Sequence, residues 1–332
     1  MIVDSCIDPS SGRAASLDYL KRIGVDAAKQ VVAVMATHWH DDHVRGLAQV
    51  LKACEGARFF CSSAFRSDEF LTLTQSYVLG AESTTSGVRE FGEVLGLLRD
   101  RKASGNLQCG PSFVLENRLI ESSNRCEIKA LSPSSAAIEK AMSSIASLLP
   151  EQQRPHLRVA APTPNEGSVA LWLEGRSCAA LLSADVERQA SDDRGWGAIL
   201  ALAPGSRGRA GIVKVAHHGS ESGHDQRVWD ELLVQEPQAF LTPWRRGSRG
   251  LPTPNDRSRI VHLAPEAIQV GRIGAKPKRY DPTVERVLKE VTQTRRAAVG
   301  RLGHTRARCR DADQGMWRVQ TIAESVPLAD VA

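Results

Sequence analysis

The segment Thr37-His38-Trp39-His40-Asp41-Asp42-His43 holds three imidazoles and two carboxylates within six residues. Imidazole nitrogen and carboxylate oxygen suit Zn, Mn or Fe, and no thiolate stands among them. His38 and His40, two apart at an extended strand end, point the same way. Asp42 and His43, at the turn into a helix, can face a second position. One segment is therefore expected to hold two divalent metal ions, Zn or Mn.

Two later segments repeat the pattern of an acid or histidine after a short apolar strand. Ser177 to Ala184 ends in Asp185, and Ile212-Val213-Lys214-Val215-Ala216 ends in His217-His218-Gly219-Ser220. Singly, the first is an ordinary helix cap and the second an ordinary turn. Together they supply donors that the first segment lacks. Two ions ~3.5 to 4 Å apart need a shared anionic bridge, and Asp185 can serve.

The elements that must position these donors are legible from pattern. Val31 to Ala36 is an apolar strand running into the histidines, and residues 44 to 54 continue as a helix. Met1 to Asp4 reads as a strand entered in its middle, so that a first hairpin is expected to be lacking. Further strands are expected at 57 to 61 and 128 to 131. Residues 168 to 174 and 177 to 184 form a hairpin around Gly175-Arg176. A strand at 239 to 242 completes the set. Helices are expected at 17 to 23, 89 to 101, 136 to 148, 226 to 234 and 282 to 297, with a closing hairpin of 301 to 310 against 316 to 322. Pro150 to Pro164 and 250 to 255 read as proline-rich loops, the latter over the mouth of the site with Thr242 to Arg246.

With 332 residues and 42% hydrophobic content, the chain is long enough for a sizeable core. Its formal charge of +5 is modest, but arginine concentrates from position 245 onward, which permits a polyanionic partner. Seven cysteines, odd in number and without a Cys-x-x-Cys pair, read as reduced intracellular thiols. With neither a signal-peptide pattern nor a window of ~18 uncharged apolar residues, no membrane association and a cytoplasmic location are expected.

His38-x-His40-x-Asp42-His43 resembles the ligand signature of the metallo-β-lactamase superfamily. Asn165 to Leu171, Leu181 to Glu187 and Val213 to Ser220 look like successive motifs of its ComEC-type domains, the hydrolase domains of DNA-uptake competence proteins and their stand-alone relatives. The resemblance covers positions 1 to 262 and implies an α/β fold, a four-layer αββα sandwich with metals at the strand ends between two sheets. Residues 263 to 332 would form a basic C-terminal extension, a helix plus a β-hairpin, packed on or continuing that domain. The resemblance also implies that His38 and His40 bind one ion, Asp42 and His43 a second, and that Asp185 bridges them. One of His217 and His218 would complete the second ion; the other would bind the substrate's phosphate or protonate the leaving oxygen. Asp42, His217 and His218 form the expected catalytic set. Trp39, Asn165, Ser168 and Ser220 are the expected substrate-side residues. A further superfamily histidine has only His156 as a candidate, and the membrane channel of the competence proteins is absent from the sequence.

The activity so implied is that of a metal-dependent hydrolase, first of all a phosphodiesterase or nuclease acting on nucleic acid. A small-molecule ester, lactone or thioester hydrolase is the alternative on the same site. A third reading is a metal-stabilised subunit of a bacterial antiphage defence or DNA-processing complex, with a protein partner completing the N-terminal sheet edge.

Overall fold

The computed structural model describes residues 1–79, 87–105, 110–148, 164–202, 208–246, 248–272, 281–291, 302–310 and 315–331. A first sheet contains β1 (Ile2–Val3), β2 (Ala33–Ala36), β3 (Arg58–Ser62) and β4 (Pro111–Val114), in that spatial order and all parallel. Parallel neighbours require crossover connections. Here these are α1 (Ala15–Arg22) and α2 (Ala27–Gln30), then α3 (Asp41–Val44) and α4 (Leu47–Ala53), then α5 (Asp68–Leu79) and α6 (Gly87–Ala103).

The second sheet is mixed. Its strands are β5 (Leu119–Ser122), β6 (Cys126–Ala130), β7 (Leu171–Gly175), β8 (Ala179–Leu182), β9 (Ala210–Lys214), β10 (Leu233–Leu241), and, beyond the ribbon of β11 (Trp244–Arg246) and β12 (Arg249–Leu251), β13 (Ile268–Gln269). A second ribbon, β14 (Gly303–Arg308) against β15 (Arg318–Ala323), precedes the last strand, β16 (Val326–Pro327). Across this sheet the order is β16-β13-β10-β9-β8-β7-β6-β5. The remaining helices are α7 (Ser135–Ala146), α8 (Gly195–Ala201), α9 (Pro254–Leu263) and α10 (Pro282–Val291). Residues 263 onward thus contribute two strands to the large sheet as well as a helix and a ribbon.

The period-2 alternation of the strands sorts the side chains into three cores and so fixes four layers. Val34, Ala36, Phe59 and Cys61 face helices α4 to α7, meeting Leu51, Phe70, Phe91 and Ile145. Their neighbours Ala33, Met35 and Phe60 point the other way, onto Ala130 and Leu171 of the second sheet and Val169 just before β7. The far face of that sheet, with Trp172, Leu181 and Val213, packs on Trp196 and Ile199 of α8 and Ile260 of α9. Each large apolar side chain so buried contributes about 1.5–3 kcal/mol relative to exposure. The order is helices, sheet, sheet, helices: the αββα sandwich.

Several local expectations are corrected. The helix expected without a break over 44 to 54 is interrupted between α3 and α4, because the Ser5 N–H takes the His43 carbonyl at 2.7 Å. Gly46 there has φ +83°, and a Cβ on it would lie 2.4 Å from Ile7 Cδ1. The helix expected at 226 to 234 is a single turn, Val228–Leu232; the chain then enters β10 at Leu233, where parallel pairing with β9 takes up the backbone. Thr253 caps α9, so the proline-rich stretch at 250 to 255 is a strand end and a helix start rather than a loop. His156, most of the 150 to 164 stretch, and the part of the 282 to 297 helix after Val291 lie outside the described residues. No helix among the described residues is long and apolar enough to cross a membrane.

Candidate metal centre

β2 ends at Ala36, β8 at Leu182 and β9 at Lys214, and the chains leaving these three strand ends bring the expected donors together. Ligand atoms of His38, His40 and Asp185 lie within 4.8 Å of one another, and so do those of Asp42, His43 and His218. Asp185, 1% exposed, stands between the two groups. Its Oδ2 is 3.5 Å from His38 Nε2 and 3.7 Å from His218 Nε2, and its Oδ1 is 3.3 Å from His43 Nε2. Lys214 Nζ lies 3.4 Å from the same Oδ1.

The imidazoles are aimed by their outer nitrogens. His43 Nδ1 donates to Asp4 Oδ2 at 2.7 Å, and His218 Nδ1 to the Thr242 carbonyl at 3.0 Å. His38 Nδ1 bonds Thr37 Oγ1 at 3.0 Å, and that hydroxyl donates to Asp4 Oδ2 at 2.7 Å. In all three, Nδ1 is occupied outward and Nε2 faces inward, the arrangement that fixes tautomer and orientation for a metal ligand. Asp4, which the motif reading passed over, therefore orients two histidines at once. Its signal in the sequence was the same as that of Asp185: an acid directly after a short apolar strand. We expect Asp4→Asn to weaken metal affinity about 10- to 100-fold, the usual effect of losing an outer-shell carboxylate. Competition titration against a chromophoric chelator reads that change directly.

The backbone is bent to make this site. Seven non-glycine residues among those described have positive φ, and Asp4, Ala184, His217 and His218 are four of them. Left-handed conformations cost roughly 1–2 kcal/mol per non-glycine residue and persist where the surroundings enforce them. Ala184 directly precedes Asp185, so the strain sits where the donors leave their strands.

Electrostatics follow from burial among opposite charges. Burial pushes the His40 imidazole down to about 3. Burial also works against a charge on His43, but Asp185 and Asp4 outweigh it and hold that imidazole up to about 10. Burial would raise Asp42 and Asp185; for Asp42 the His218 hydrogen bond and His43, and for Asp185 the charges of His43 and Lys214, pull them well below the usual carboxylate range. A buried carboxylate kept ionised beside histidines is a cation site in the making. The Asp185 Oδ2, buried without a hydrogen-bond partner, points the same way. Four histidines and two carboxylates suit zinc-like ions, and these residues fit two divalent cations, one per group.

The structure separates the His217/His218 pair. His218 Nε2 lies 3.0 Å from Asp42 Oδ2, inside the second group. His217 belongs to neither group: its Nδ1 donates to Glu187 Oε1 at 2.9 Å, with Ser220 Oγ and Ser222 Oγ each 3.1 Å away and Asn165 Nδ2 3.5 Å from its Nε2. Burial works against a charge on His217, and Glu187 raises its pKa nonetheless. Glu187, too, was missed from sequence.

Of the residues expected on the substrate side, Trp39, Asn165, Ser168 and Ser220, none lines the cleft onto which Asp42, His43 and His218 open. Trp39 is 5% exposed and packs on Phe65 and Phe70 beneath the first sheet, because alternation turns it away from the face that His38 and His40 share. Ser168 is buried in the wall, its carbonyl accepting from Ser132 Oγ. Ser220 and Asn165 support His217 instead of lining the opening. The aromatic side chain at the opening is Trp244, on the segment expected to overlie the mouth; its ring stacks 6.2 Å from that of His218.

A cleft of about 620 Å³ opens onto Asp42, His43 and His218. Its walls are mainly apolar, with Ile2, Val3, Leu182, Pro243, Trp244 and Val270, and Lys214 and Arg272 bring positive charge to it.

Comparison with known proteins agrees at the level of the superfamily. The model of the metallo-beta-lactamase superfamily matches residues 1–60, which contain Asp4, His38, His40, Asp42 and His43. No curated protein matches the chain. Among solved structures, MEM-A1, a subclass B3 metallo-beta-lactamase from a soil metagenome library, is similar at 12% identity with a TM-score of 0.33, covering 68% of this chain and 72% of its own. The metallo-beta-lactamase SMB-1 bound to 2-mercaptoethanesulfonate shares 15% identity at a TM-score of 0.30, over 64% of this chain and 68% of its own. Zn(2+)-bound PqqB from Methylobacterium extorquens shares 15% at 0.25, over 55% and 44%. At such values the structural likenesses carry no argument. It is the match over the segment bearing four of the six converging donors that supports the metallo-beta-lactamase superfamily for this chain.

Proposed function

We propose that the protein is a two-metal hydrolase of phosphodiester bonds, of the ComEC-type branch, with nucleic acid as its substrate. The observation that carries this reading is the pair of three-donor groups joined by Asp185 at the floor of a cleft that also contains Lys214 and Arg272. Two divalent ions held there would supply a hydroxide at neutral pH and offset charge on both the attacking and leaving oxygens of a displaced phosphoryl group. The protein's own part is positioning. Asp4 and the Thr242 carbonyl hold His43 and His218 in place. Arg272, whose Nε lies 3.4 Å from Glu324 Oε2, lines the cleft and would share its charge between that carboxylate and a non-reacting phosphate oxygen. His217, fixed by Glu187, holds its ring centroid 6.0 Å from that of His218, beside the two donor groups and in neither.

The apolar walls favour a second reading, a small ester, lactone or thioester as substrate. Salt separates the two. Protein stripped by chelator and reloaded with Zn or Mn is assayed on single-stranded DNA, duplex DNA, RNA, a small phosphodiester, a lactone and a thioester. Nucleic-acid turnover at limiting substrate should fall steeply between about 50 and 200 mM salt as counterions compete. Stripped protein should be inactive. Hydrolysis of the lactone or thioester with every phosphodiester untouched overturns the proposal.

A further inference from the structure

Lys214 is a cation on an apolar face. Between β8 and β9, Leu181 is in register with Val213 and Leu182 with Lys214. Leu181 and Val213 pack toward the outer helices and Leu182 toward the first sheet, so alternation turns Lys214 inward beside Leu182. An ammonium between two sheets is stable only where polar partners meet it. Lys214 Nζ donates to the Ala184 carbonyl at 2.6 Å and to Asp185 Oδ1 at 3.4 Å. An ammonium carries three donors. With those two engaged, one is left for the cleft, which Lys214 lines with a side chain 26% exposed.

Neither partner requires a full charge there. The bond to Ala184 holds a carbonyl at a left-handed residue, φ 46°, and a neutral amide donor would hold it too. The bond to Asp185 sets a positive charge on the same oxygen that faces His43 Nε2 at 3.3 Å. A fixed cation at that point repels the ions that the donor groups fit. What an ammonium adds beside such a site is attraction for an anion. Asp42, His43 and His218 line the same cleft, and Lys214 and His43 approach one oxygen, so an anion drawn to the second group is within reach of both. Arg272, the other full cation of the described lining, is 63% exposed and shared with Glu324. Lys214 is the more enclosed of the two.

We infer that Lys214 is the anion-recognising residue of the cleft: its free N–H takes a non-bridging oxygen of the phosphodiester, and it thereby selects a charged ester over a neutral one of the same shape. The inference rests on the phosphodiesterase reading of the metal centre for its choice of ligand. It also accounts for an ammonium standing among walls as apolar as Ile2, Leu182 and Val270. The walls take the uncharged remainder of the substrate, and Lys214 takes its charge.

The test uses full-length, metal-loaded protein with Lys214→Gln, and Lys214→Met as a second variant of similar length. Two substrates share a leaving group and differ in charge: bis(4-nitrophenyl) phosphate, an anion, and its neutral methyl triester. Each variant is read against the wild type on the same substrate, so intrinsic reactivity cancels. Lys214→Gln should lower kcat/KM for the diester about 10- to 100-fold, the scale of a hydrogen bond to a charged group, and for the triester less than about 3-fold. Calorimetric affinity for thymidine 5′-monophosphate should fall about 10-fold or more. Competition with a chromophoric chelator should find metal held no more weakly than in the wild type. Equal losses on both substrates, or weaker metal binding, would make Lys214 a support for Ala184 and Asp185 and overturn the inference. An unchanged diester rate overturns it too, as do variants that both fail to fold, since the charge would then be needed by the structure. A wild type that hydrolyses no phosphodiester fails the metal-centre reading, and nucleotide binding then decides alone: affinity lost in Lys214→Gln keeps the anion subsite, and unchanged or absent binding removes it.

Discussion

Asp185→Asn should abolish hydrolysis and disturb both ions, while each donor group keeps its histidines. The Asp185 carboxylate lies directly against histidines of both groups: 3.5 Å from His38, 3.3 Å from His43 and 3.7 Å from His218. Asparagine preserves its shape and removes its charge. On the proposed two-ion reading, the cations then lose the anion between them, and bound metal should fall from two ions per chain to one or fewer. If the ions supply several kcal/mol of transition-state stabilisation, turnover falls on the order of 10³-fold or more, at tenfold per ~1.4 kcal/mol. The metal-free variant should also be less stable than the metal-free wild type. His43 and Lys214 would face a neutral amide, and breaking a buried charge pair from one side costs about 3–5 kcal/mol. Metal analysis, hydrolysis rate and denaturant midpoint read the three effects. A variant that keeps two ions and its activity would remove Asp185 from the shared position.

The sequence made the core of this site legible because its chemistry is dense and its delivery regular. His38 to His43 follow an apolar strand, and Asp185 and His218 follow two others, so that a rule about strand ends found donors from three distant segments. Asp4 obeys the same rule but follows a strand of only two residues, and the histidine it orients is 39 residues away. Nothing local marks that partnership. The choice between His217 and His218 was closed to sequence for a different reason. It depends on consecutive left-handed residues, φ 44° and 55°, which turn one imidazole inward and the other toward Glu187. Trp39 shows the opposite case, since the alternation that set His38 and His40 on one face already placed Trp39 on the other. The four-layer sandwich was implied by resemblance; in the structure it follows from Ala33 and Met35 facing one core while Val34 and Ala36 face another.

His218→Ala and His217→Ala should then part company, although the two residues are adjacent and share a backbone conformation. His218 is buried, its Nε2 3.0 Å from Asp42 and 3.7 Å from Asp185, its Nδ1 fixed by the Thr242 carbonyl. Removing it leaves Asp42, His43 and an oxygen of the shared Asp185 for the second cation, without the imidazole that lies beside both carboxylates, so that ion should be held much more weakly than the first. Bound metal should fall to one ion per chain, held by His38, His40 and Asp185, with turnover down on the order of 10³-fold or more if both ions are needed. His217→Ala removes a side chain that touches Glu187, Ser220, Ser222 and Asn165 but belongs to neither donor group. Both ions should stay, and turnover should fall by about 10- to 100-fold, the scale of an outer-shell loss. Neither substitution relieves or adds backbone strain, since alanine tolerates a positive φ no better than histidine does. The comparison therefore isolates the imidazoles. Metal content decides it: one ion lost from the His217 variant and none from the His218 variant would exchange the two roles, and with them the face of the turn that meets the substrate.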